Sequence, residues 1–272
     1  MARRVRKVVV LGGGYTGAAV LVRAIAAGLE SRVTVRRPEA APALVALGAR
    51  VLVMPELGAE IAEHVDLETH VVVTFPPDGA TDARVADAIG PAGGRVAALT
   101  YLSASSVYGA RRGVIDAATP TTETPTGPEA RRLEAEAIWR ARGATVLRCP
   151  AIYGEDRGLH VRVLSGAHRI PGDGSGWISR IHVEDLAALV LASPRAPGET
   201  FVVGDDEPAP HREVVAFICA AHGVPLPPAA PLEEVHPSLR GDRRIDGREA
   251  LARLGVSLRY PSYRAGMLPR SR

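Results

Sequence analysis

Short runs of β-branched and other apolar residues alternate, as far as residue 150, with stretches in which apolar residues recur at helical spacing. The apolar runs predict strands at 7–11, 32–36, 50–54, 70–75, 96–103 and 145–150. The stretches between them predict helices at 18–28, 42–49, 81–90 and 128–143. Strands that alternate with helices in this way form a parallel sheet covered by helices on both faces. The pattern therefore predicts an α/β fold with a doubly wound parallel sheet.

Beyond about residue 154 the pattern loosens into Gly- and Pro-rich loops, with helices predicted at 183–193 and 211–223 and a strand at 199–205. We expect two parts. The larger domain covers 1–153, with some later elements at about 181–204 returning to its sheet. The smaller lobe covers 154–272 and encloses a substrate.

Between the first predicted strand and the first predicted helix the chain reads GGGYTG. The spacing of Gly12, Gly14 and Gly17 matches the dinucleotide fingerprint, in which glycines allow a tight turn, close approach to a pyrophosphate and close packing of helix on strand. The helix N-terminus, here Tyr15 and Thr16, supplies free N–H groups to the anion. The sequence thus predicts a dinucleotide site in a Rossmann-type domain, and a plain glycine-rich turn is the alternative.

The second predicted strand ends in VTVRRPE, where an NAD protein carries an acidic residue for the ribose 2′-hydroxyl. Here the positions hold Arg36 and Arg37. Two guanidinium groups suit a 2′-phosphate, so the sequence favours NADP (NADPH) over NAD. The alternative is two solvated surface arginines.

The composition of the chain argues against several classes of function. The chain has 272 residues, 46% of them hydrophobic, and a net charge of +3. Its arginines are scattered among acids without a basic stripe, which argues against nucleic acid as a partner. The apolar stretch after the basic N-terminus is too short for a signal peptide, no stretch is long enough for a membrane span, and two cysteines are too few for a disulfide framework. We expect a cytoplasmic protein with a small-molecule substrate and no membrane partner, and leave a homodimer open.

Five motifs follow one another along nearly the whole chain: GGGYTG, TYLSASSVYGA, LRCPAIYGEDR, RIPGDGSGWISRIHVEDLA and FVVGDDEPAP. With them the chain resembles the short-chain dehydrogenase/reductase superfamily, in the extended and atypical branches that include the nucleotide-sugar epimerases and dehydratases. The resemblance implies a Rossmann domain with a small C-terminal substrate lobe. It also implies that Thr74, Phe75 and Pro76 lie beside the cofactor.

The chemistry of that superfamily uses a Ser or Thr, a Tyr, and a Lys one helical turn after the Tyr, which lowers the pKa of the phenol. Aligned on the motif VYG, the Ser/Thr position holds Ala104. Aligned on ARRLEAE, the Tyr and Lys positions hold Pro128 and Arg132. The only lysine, Lys7, stands at the start of the first strand, at the opposite end of the sheet. We therefore expect the usual proton relay to be absent, with Arg132 near the cofactor ribose.

Local structure accounts for these residues. Thr126 and Glu129 form a T-x-x-E capping box, and Pro128 stands in the first helical turn, where a missing N–H is harmless. This predicts a helix start whose role is structural.

Other side chains are candidates for the site. Ser105, Tyr108 and Tyr153 are candidates for a catalytic hydroxyl, and Ser103 for a cofactor contact, because ligands bind at the carboxyl ends of such strands. The alternative is that the tyrosines only support the pocket.

Three residues of the segment GWISRIHVED are candidates for contact with the substrate, namely Trp177, Arg180 and His182. His182 titrates in a useful range, although a hydrogen-bonded structural histidine is the preferred interpretation. No metal site is expected.

Two functions remain. The first is an NADP-binding oxidoreductase or epimerase-like enzyme that acts on a small polar substrate through a non-standard proton relay. The second is a catalytically inactive dinucleotide-binding protein that serves as a redox sensor or structural partner. The missing relay favours the second, and the retained substrate lobe favours the first.

Overall fold

The computed structural model of the chain describes residues 4–92, 94–236 and 239–269. The two ends of the expected division, residues 1 and 272, lie outside these ranges. The strands are β1 (Lys7–Leu11), β2 (Glu30–Val35), β3 (Arg50–Val53), β4 (Thr69–Val73), β5 (Ala98–Ala104), β6 (Gly113–Ile115), β7 (Thr145–Cys149), β8 (Ala151–Tyr153), β9 (Ile170–Pro171), β10 (Trp177–Ile178), β11 (Arg180–His182), β12 (Thr200–Val202), β13 (Ala209–Pro210), β14 (Ala229–Ala230) and β15 (Arg243–Ile245).

The α-helices are α1 (Tyr15–Ala26), α2 (Ala41–Ala46), α3 (Ala80–Ile89), α4 (Gly127–Ala141), α5 (Leu159–Leu164), α6 (Val183–Ala192), α7 (His211–His222), α8 (Arg248–Leu254) and α9 (Tyr263–Gly266). Short 3-10 helices occur at Pro38–Ala40, Ala59–His64, Ser105–Tyr108, Ser193–Arg195 and Leu232–Glu234. No helix within the described ranges has both the length and the apolar character that a membrane crossing requires.

The central sheet has seven strands in the order β12-β7-β5-β4-β1-β2-β3. All of its pairings are parallel. The strand order reverses at β1. The chain first adds β2 and β3 on one side of β1, and then adds β4, β5, β7 and β12 on the other side. This confirms the predicted α/β, Rossmann-type doubly wound sheet.

Alternation along the central strands divides the core into two layers. Val8 and Val10 of β1 face the cluster that contains α1, α6 and α8. Val9 and Leu11 face the opposite cluster, which contains α3 and α4. Because neighbouring side chains of a strand point to opposite faces, a continuous apolar run places apolar side chains in both layers.

The C-terminal part divides between the sheet and a separate core. Strand β12 forms the sheet edge beside β7, and α6 packs against α1. Residues from β8, α5, β9 and α7 form a smaller cluster with Tyr263 and Met267. This lobe lies next to the loops that follow the sheet strands, because β8 directly continues from β7.

Candidate functional site

The chain turns at Gly12, directly after β1. Its φ of +113° lies in the left-handed region, and a Cβ there would come within 2.8 Å of Thr74 Oγ1. Thr74 Oγ1 donates a hydrogen bond of 2.7 Å to the Gly12 carbonyl. Both the backbone conformation and the space therefore require glycine at this position.

The other two glycines of the fingerprint differ in their surroundings. Gly14 caps α1, and no atom lies within 4 Å of the place where its Cβ would stand. At Gly17 a Cβ would come within 2.1 Å of the Gly12 carbonyl oxygen. The first intrahelical bond runs from Ala18 N to Gly14 O, so the N–H groups of Tyr15 and Thr16 have no partner within the helix. The loop therefore has an open approach at Gly14 and tight helix packing at Gly17.

Thr34 in β2 holds this loop from the other side. Its Oγ1 accepts a hydrogen bond of 3.1 Å from Gly12 N, and its carbonyl accepts one of 2.9 Å from Gly13 N. The sequence reasoning missed Thr34, because a β-branched residue within a predicted strand looks like an ordinary strand residue.

Arg36 and Arg37 follow directly after β2 and are exposed. They stand two and three residues beyond Thr34, which binds the glycine loop. Neither arginine has an ion-pair partner within the described part of the chain. Two positive charges with no ion-pair partner among the described residues thus follow the strand that holds the loop.

Thr74, Phe75 and Pro76 come after the end of β4. Thr74 N donates to Leu11 O at 3.0 Å, which brings this segment against the start of the glycine loop. Thr74 and Phe75 are half-buried, and Pro76 is exposed.

At the end of β5 the chain forms the 3-10 turn Ser105–Tyr108. Ser105 is half-buried in this turn, directly after Ala104. Ser103 is buried, and its Oγ donates a hydrogen bond of 2.5 Å to Glu136 Oε1. The structure thus directs the Ser103 hydroxyl toward α4, while Ser105 lies at the carboxyl end of the sheet.

A buried polar network lies beneath that turn. Glu136 receives hydrogen bonds from Arg148 at 2.7 and 3.1 Å, and Arg148 Nη1 donates to the Tyr108 hydroxyl oxygen at 3.1 Å. Burial raises the pKa of Tyr108, although Arg148 opposes this effect. Tyr108 is therefore held below the turn as a neutral phenol.

The first turn of α4 has the expected form. Thr126 N and Oγ1 both donate to Glu129 Oε2, at 3.2 and 3.1 Å, which confirms the predicted capping box. Pro128 is exposed in the first turn. One turn later, Arg132 Nη1 donates to Leu102 O at 3.2 Å, so its half-buried guanidinium lies against the end of β5.

Tyr153 and His182 lie together at the entrance to the C-terminal lobe. Their rings make an edge contact with centroids 5.1 Å apart, and His182 stacks on Tyr260 at 3.7 Å. The Tyr153 hydroxyl donates to Ser262 O at 3.3 Å, and burial raises its pKa. His182 Nδ1 accepts a hydrogen bond of 3.3 Å from Glu184 N and caps α6. Burial lowers the pKa of His182, which favours neutral imidazole.

Arg180 is buried in the lobe. Its guanidinium donates to two backbone carbonyls, at Glu207 and Ile178, and lies over the Tyr263 ring at 4.8 Å. Asp205 stands 3.8 Å from Arg180, and burial raises the pKa of Asp205 to about 7. Trp177, by contrast, is half-buried, and the Arg244 guanidinium lies 4.1 Å from its ring centroid.

A groove of about 1230 Å³ adjoins the glycine loop. Its walls come from α1 and α2 on one side and from α5, Tyr260 and the segment 265–269 on the other. Tyr15 stands at its end with the Arg157 guanidinium 5.0 Å from the ring centroid, and burial together with Asp156 raises the pKa of Tyr15 to about 12. Within the described residues, no group of His, Cys, Asp and Glu side chains forms a candidate metal site.

No protein-family model matches the chain. The 3-diazoavenalumate denitrifying reductase of a Streptomyces species is 32% identical over 139 residues, which represent 45% of this chain and 45% of the reductase. The match thus spans less than half of the length of that relative.

Solved structures match over nearly the full length. A functionally unknown conserved protein from Silicibacter pomeroyi DSS is 31% identical, with 96% of each chain covered and a TM-score of 0.84. UDP-glucuronic acid 4-epimerase from Bacillus cereus, solved with NAD, is 15% identical, with 96% of each chain covered and a TM-score of 0.78. Human epimerase family protein SDR39U1, solved with NADPH, is 18% identical, with coverage of 96% of this chain and 97% of that chain and a TM-score of 0.73.

The chain thus shares its fold with proteins described as epimerases, which agrees with the resemblance to the short-chain dehydrogenase/reductase superfamily. The replacement of the usual Ser/Thr, Tyr and Lys by Ala104, Pro128 and Arg132 rests on the alignments on VYG and ARRLEAE and stays a prediction. Lys7 stands at the first residue of β1, with its Nζ 2.5 Å from Asp66 Oδ2. The last residue of β1, Leu11, leads into the glycine loop. Lys7, its first residue, therefore lies at the opposite end of the sheet from that loop.

The candidate site also contains residues that the sequence reasoning did not select. These are Thr34 at the loop, Glu136 and Arg148 beneath the turn, Asp205 beside Arg180, and Arg243 in β15. All of them except Arg243 lie in segments quoted above, namely VTVRRPE, ARRLEAE, LRCPAIYGEDR and FVVGDDEPAP. Their roles come from contacts between distant segments, which those local patterns do not encode.

Proposed function

We propose that this protein is an NADP-dependent oxidoreductase of the short-chain dehydrogenase/reductase superfamily that acts on a small polar substrate without the usual tyrosine–lysine relay. The observation that carries the proposal is the glycine loop together with Arg36 and Arg37, which follow the neighbouring strand and have no ion-pair partner among the described residues. An anion-binding loop next to an extra pair of positive charges suits a dinucleotide with an additional phosphate.

The residues of the loop fit a dinucleotide. Open space at Gly14 leaves room for a pyrophosphate, and the first N–H groups of α1 and the positive end of its dipole face that space. NADP, when bound, supplies or accepts a hydride at its nicotinamide ring. Arg132, with Nε and Nη2 free of hydrogen bonds within the described residues, would hold the ribose next to that ring.

The chain then provides orientation and electrostatics rather than a proton relay. Ala104 and Pro128 have no titratable group, and arginine remains cationic at Arg132. Ser105 lies nearest to the vacant Ser/Thr position and is the best candidate for orienting a substrate carbonyl or hydroxyl. Trp177, which is half-buried, stays a candidate substrate contact. Tyr108, Tyr153, Arg180 and His182 are buried, and His182 also lines the groove beside the glycine loop.

Similar proteins lend support to the cofactor and the reaction class. The human relative was solved with NADPH and the Bacillus cereus epimerase with NAD, while the Streptomyces relative is a reductase. Arg36 and Arg37 are our reason for choosing NADP. The buried, unpaired thiols of Cys149 and Cys219 agree with a reducing, cytoplasmic location.

The predicted absence of the usual Ser/Thr, Tyr and Lys supports a second function. If the protein binds NADP without turnover, it acts as a redox sensor or structural partner. Ala104, Pro128 and Arg132 favour this alternative, whereas the enclosed lobe favours an enzyme.

Calorimetric titration with NADPH and NADH tests the proposal. A phosphate held by charged groups contributes about 1.5–3 kcal/mol, so we expect NADPH to bind at least about tenfold more tightly. The Arg36→Ala, Arg37→Ala double variant should lose this preference, while Arg23→Ala, in the last turn of α1, serves as the matched control. Equal affinities for the two nucleotides in both the wild type and the double variant contradict the proposal.

A further inference from the structure

Arg243 connects the C-terminal lobe to the end of β5. It lies in β15, which pairs in parallel with β6. Its Nη1 donates to Ser105 O, and its Nη2 donates to Gly109 O at 2.9 Å. The guanidinium therefore spans the turn that follows Ala104.

The positive charge of Arg243 has no acidic partner within ion-pair distance among the residues that the structure describes. Both of its hydrogen bonds go to neutral backbone carbonyls. Glu129 is the acid that acts on it electrostatically, from the first turn of α4, but the Glu129 carboxylate is engaged in the capping box. A half-buried cation that no carboxylate contacts directly is unfavourable by itself.

The guanidinium retains donors for a ligand. Among the described residues, one N–H of each terminal nitrogen has a partner, which leaves the Nε–H and the second N–H of each terminal nitrogen. The Nε–H and a neighbouring N–H form the planar fork that matches a carboxylate. The remaining donors thus suit a planar oxyanion better than a single carbonyl oxygen.

The position of Arg243 adds a second argument. Arg132 binds Leu102 O and Arg243 binds Ser105 O, so their anchoring points are at most about 10 Å apart along the extended chain. Between these points lies Ala104, where the superfamily pattern expects a hydroxyl. Two guanidinium groups that form no ion pair with any described residue therefore flank Ala104.

We infer that Arg243 binds a carboxylate group of the substrate, so that the substrate class is a small carboxylic acid. The inference rests on the proposed function, since it assigns a ligand to the same site. Arg132 is left for the nucleotide ribose, and Arg243 fixes the acid end of the substrate against the turn at Ser105. The adjacent strand residue Arg244 points the other way and stacks on Trp177.

The test compares matched carboxylates and amides: benzoate with benzamide, and hexanoate with hexanamide. Ligand-observed NMR titrations are run on the protein saturated with NADPH. We expect at least one carboxylate to bind about tenfold or more tightly than its amide. Arg243→Gln should abolish this preference, and Arg243→Lys should retain part of it. The control variant Arg248→Gln removes an exposed arginine that pairs with Asp246, and it should leave the carboxylate preference unchanged.

A purely structural role of Arg243 predicts another result. Loosening the turn would weaken carboxylate and amide equally, so the ratio of their affinities would not change. Equal affinities in every pair, no binding of either carboxylate, or a preference that survives Arg243→Gln overturn the inference. The carboxylate and amide titrations are also run without nucleotide, so that the two proposals are tested separately. A protein that does not bind NADPH counts against the cofactor assignment. The carboxylate preference measured without nucleotide still decides the role of Arg243.

Discussion

Arg148 and Glu136 form a buried, two-point ion pair, with Nη2 2.7 Å from Oε2 and Nε 3.1 Å from Oε1. The pair joins β7 to α4 and also engages Ser103 and Tyr108. It therefore fixes the end of β5 and the turn after it. Since both side chains are shielded from water, the consequence of removing one partner is large.

Arg148→Met should lower the free energy of unfolding by about 3–5 kcal/mol, because it leaves the buried Glu136 carboxylate without its counter-ion. The double variant Glu136→Gln, Arg148→Met should lose less than the sum of the two single variants, since no unpaired charge remains. Urea denaturation of the four proteins measures this coupling. Additive losses would show that the two side chains do not act as a pair.

The glycine loop allows a matched comparison between two positions. Gly14→Val should leave the fold intact, because no atom lies within 4 Å of the added Cβ, yet it should remove dinucleotide binding by filling the approach to the loop. Gly17→Ala should instead reduce stability by about 1–3 kcal/mol, since its Cβ would collide with the Gly12 carbonyl oxygen. Thermal melting and NADPH titration distinguish the two effects. Full NADPH affinity in Gly14→Val would mean that the loop is only a turn.

The central sheet was predictable because its strands are strongly patterned. The run HVVVTF predicts a strand over 70–75, and the structure places β4 at Thr69–Val73. Strands β8 and β15 have three residues each, too few for any alternation to be visible, so the sequence reasoning did not predict them. Their pairing partners, β11 and β6, are set by the tertiary fold.

The site was predictable where one local segment determines it. The glycine loop and the capping box at Thr126 both depend on spacing within a few residues. The contact of Arg243 with Ser105 joins residues 138 positions apart, and no local pattern encodes it. The cofactor contact predicted for Ser103 stays a prediction. The direction of its hydroxyl depends on Glu136 from α4, which no pattern around residue 103 encodes.

Two histidines of the lobe give a pH dependence. His168 Nε2 lies 2.9 Å from His211 Nε2, so one ring donates and the other accepts, and burial lowers the pKa of each to about 4. An unfolded histidine titrates near 6.5, so the unfolded chain binds more protons between about pH 4 and 6.5. Stability should therefore be complete above about pH 6.5 and fall as the pH drops toward 4.

Acidification from pH 7 to pH 5 should lower the free energy of unfolding by about 1–2 kcal/mol for each of these histidines. The His168→Asn, His211→Asn variant should show a flatter profile over this range. Urea denaturation at several pH values measures both. Asp205 acts in the opposite direction, because burial raises its pKa to about 7, and Asp205→Asn should therefore steepen the fall. A double histidine variant with an unchanged slope would contradict the assignment.

Turnover, where it occurs, should not depend on a tyrosine–lysine relay. Ala104 and Pro128 have no titratable group, Arg132 remains cationic, and Lys7 is bound to Asp66 at the far end of the sheet. General acid–base help is worth about 10²–10⁴ in rate, so reduction of standard ketones or nucleotide sugars should be slower by a comparable factor than in an enzyme with the relay.

Arg132→Ala should weaken NADPH binding, because it removes donors beside the end of β5, without shifting the pH optimum of turnover. Arg131→Ala, one residue earlier on the exposed side of α4, is the matched control for both measurements. Fast turnover with a pKa that disappears in Arg132→Ala would show that Arg132 takes part in proton transfer, and would exclude both the vacant relay and the sensor function.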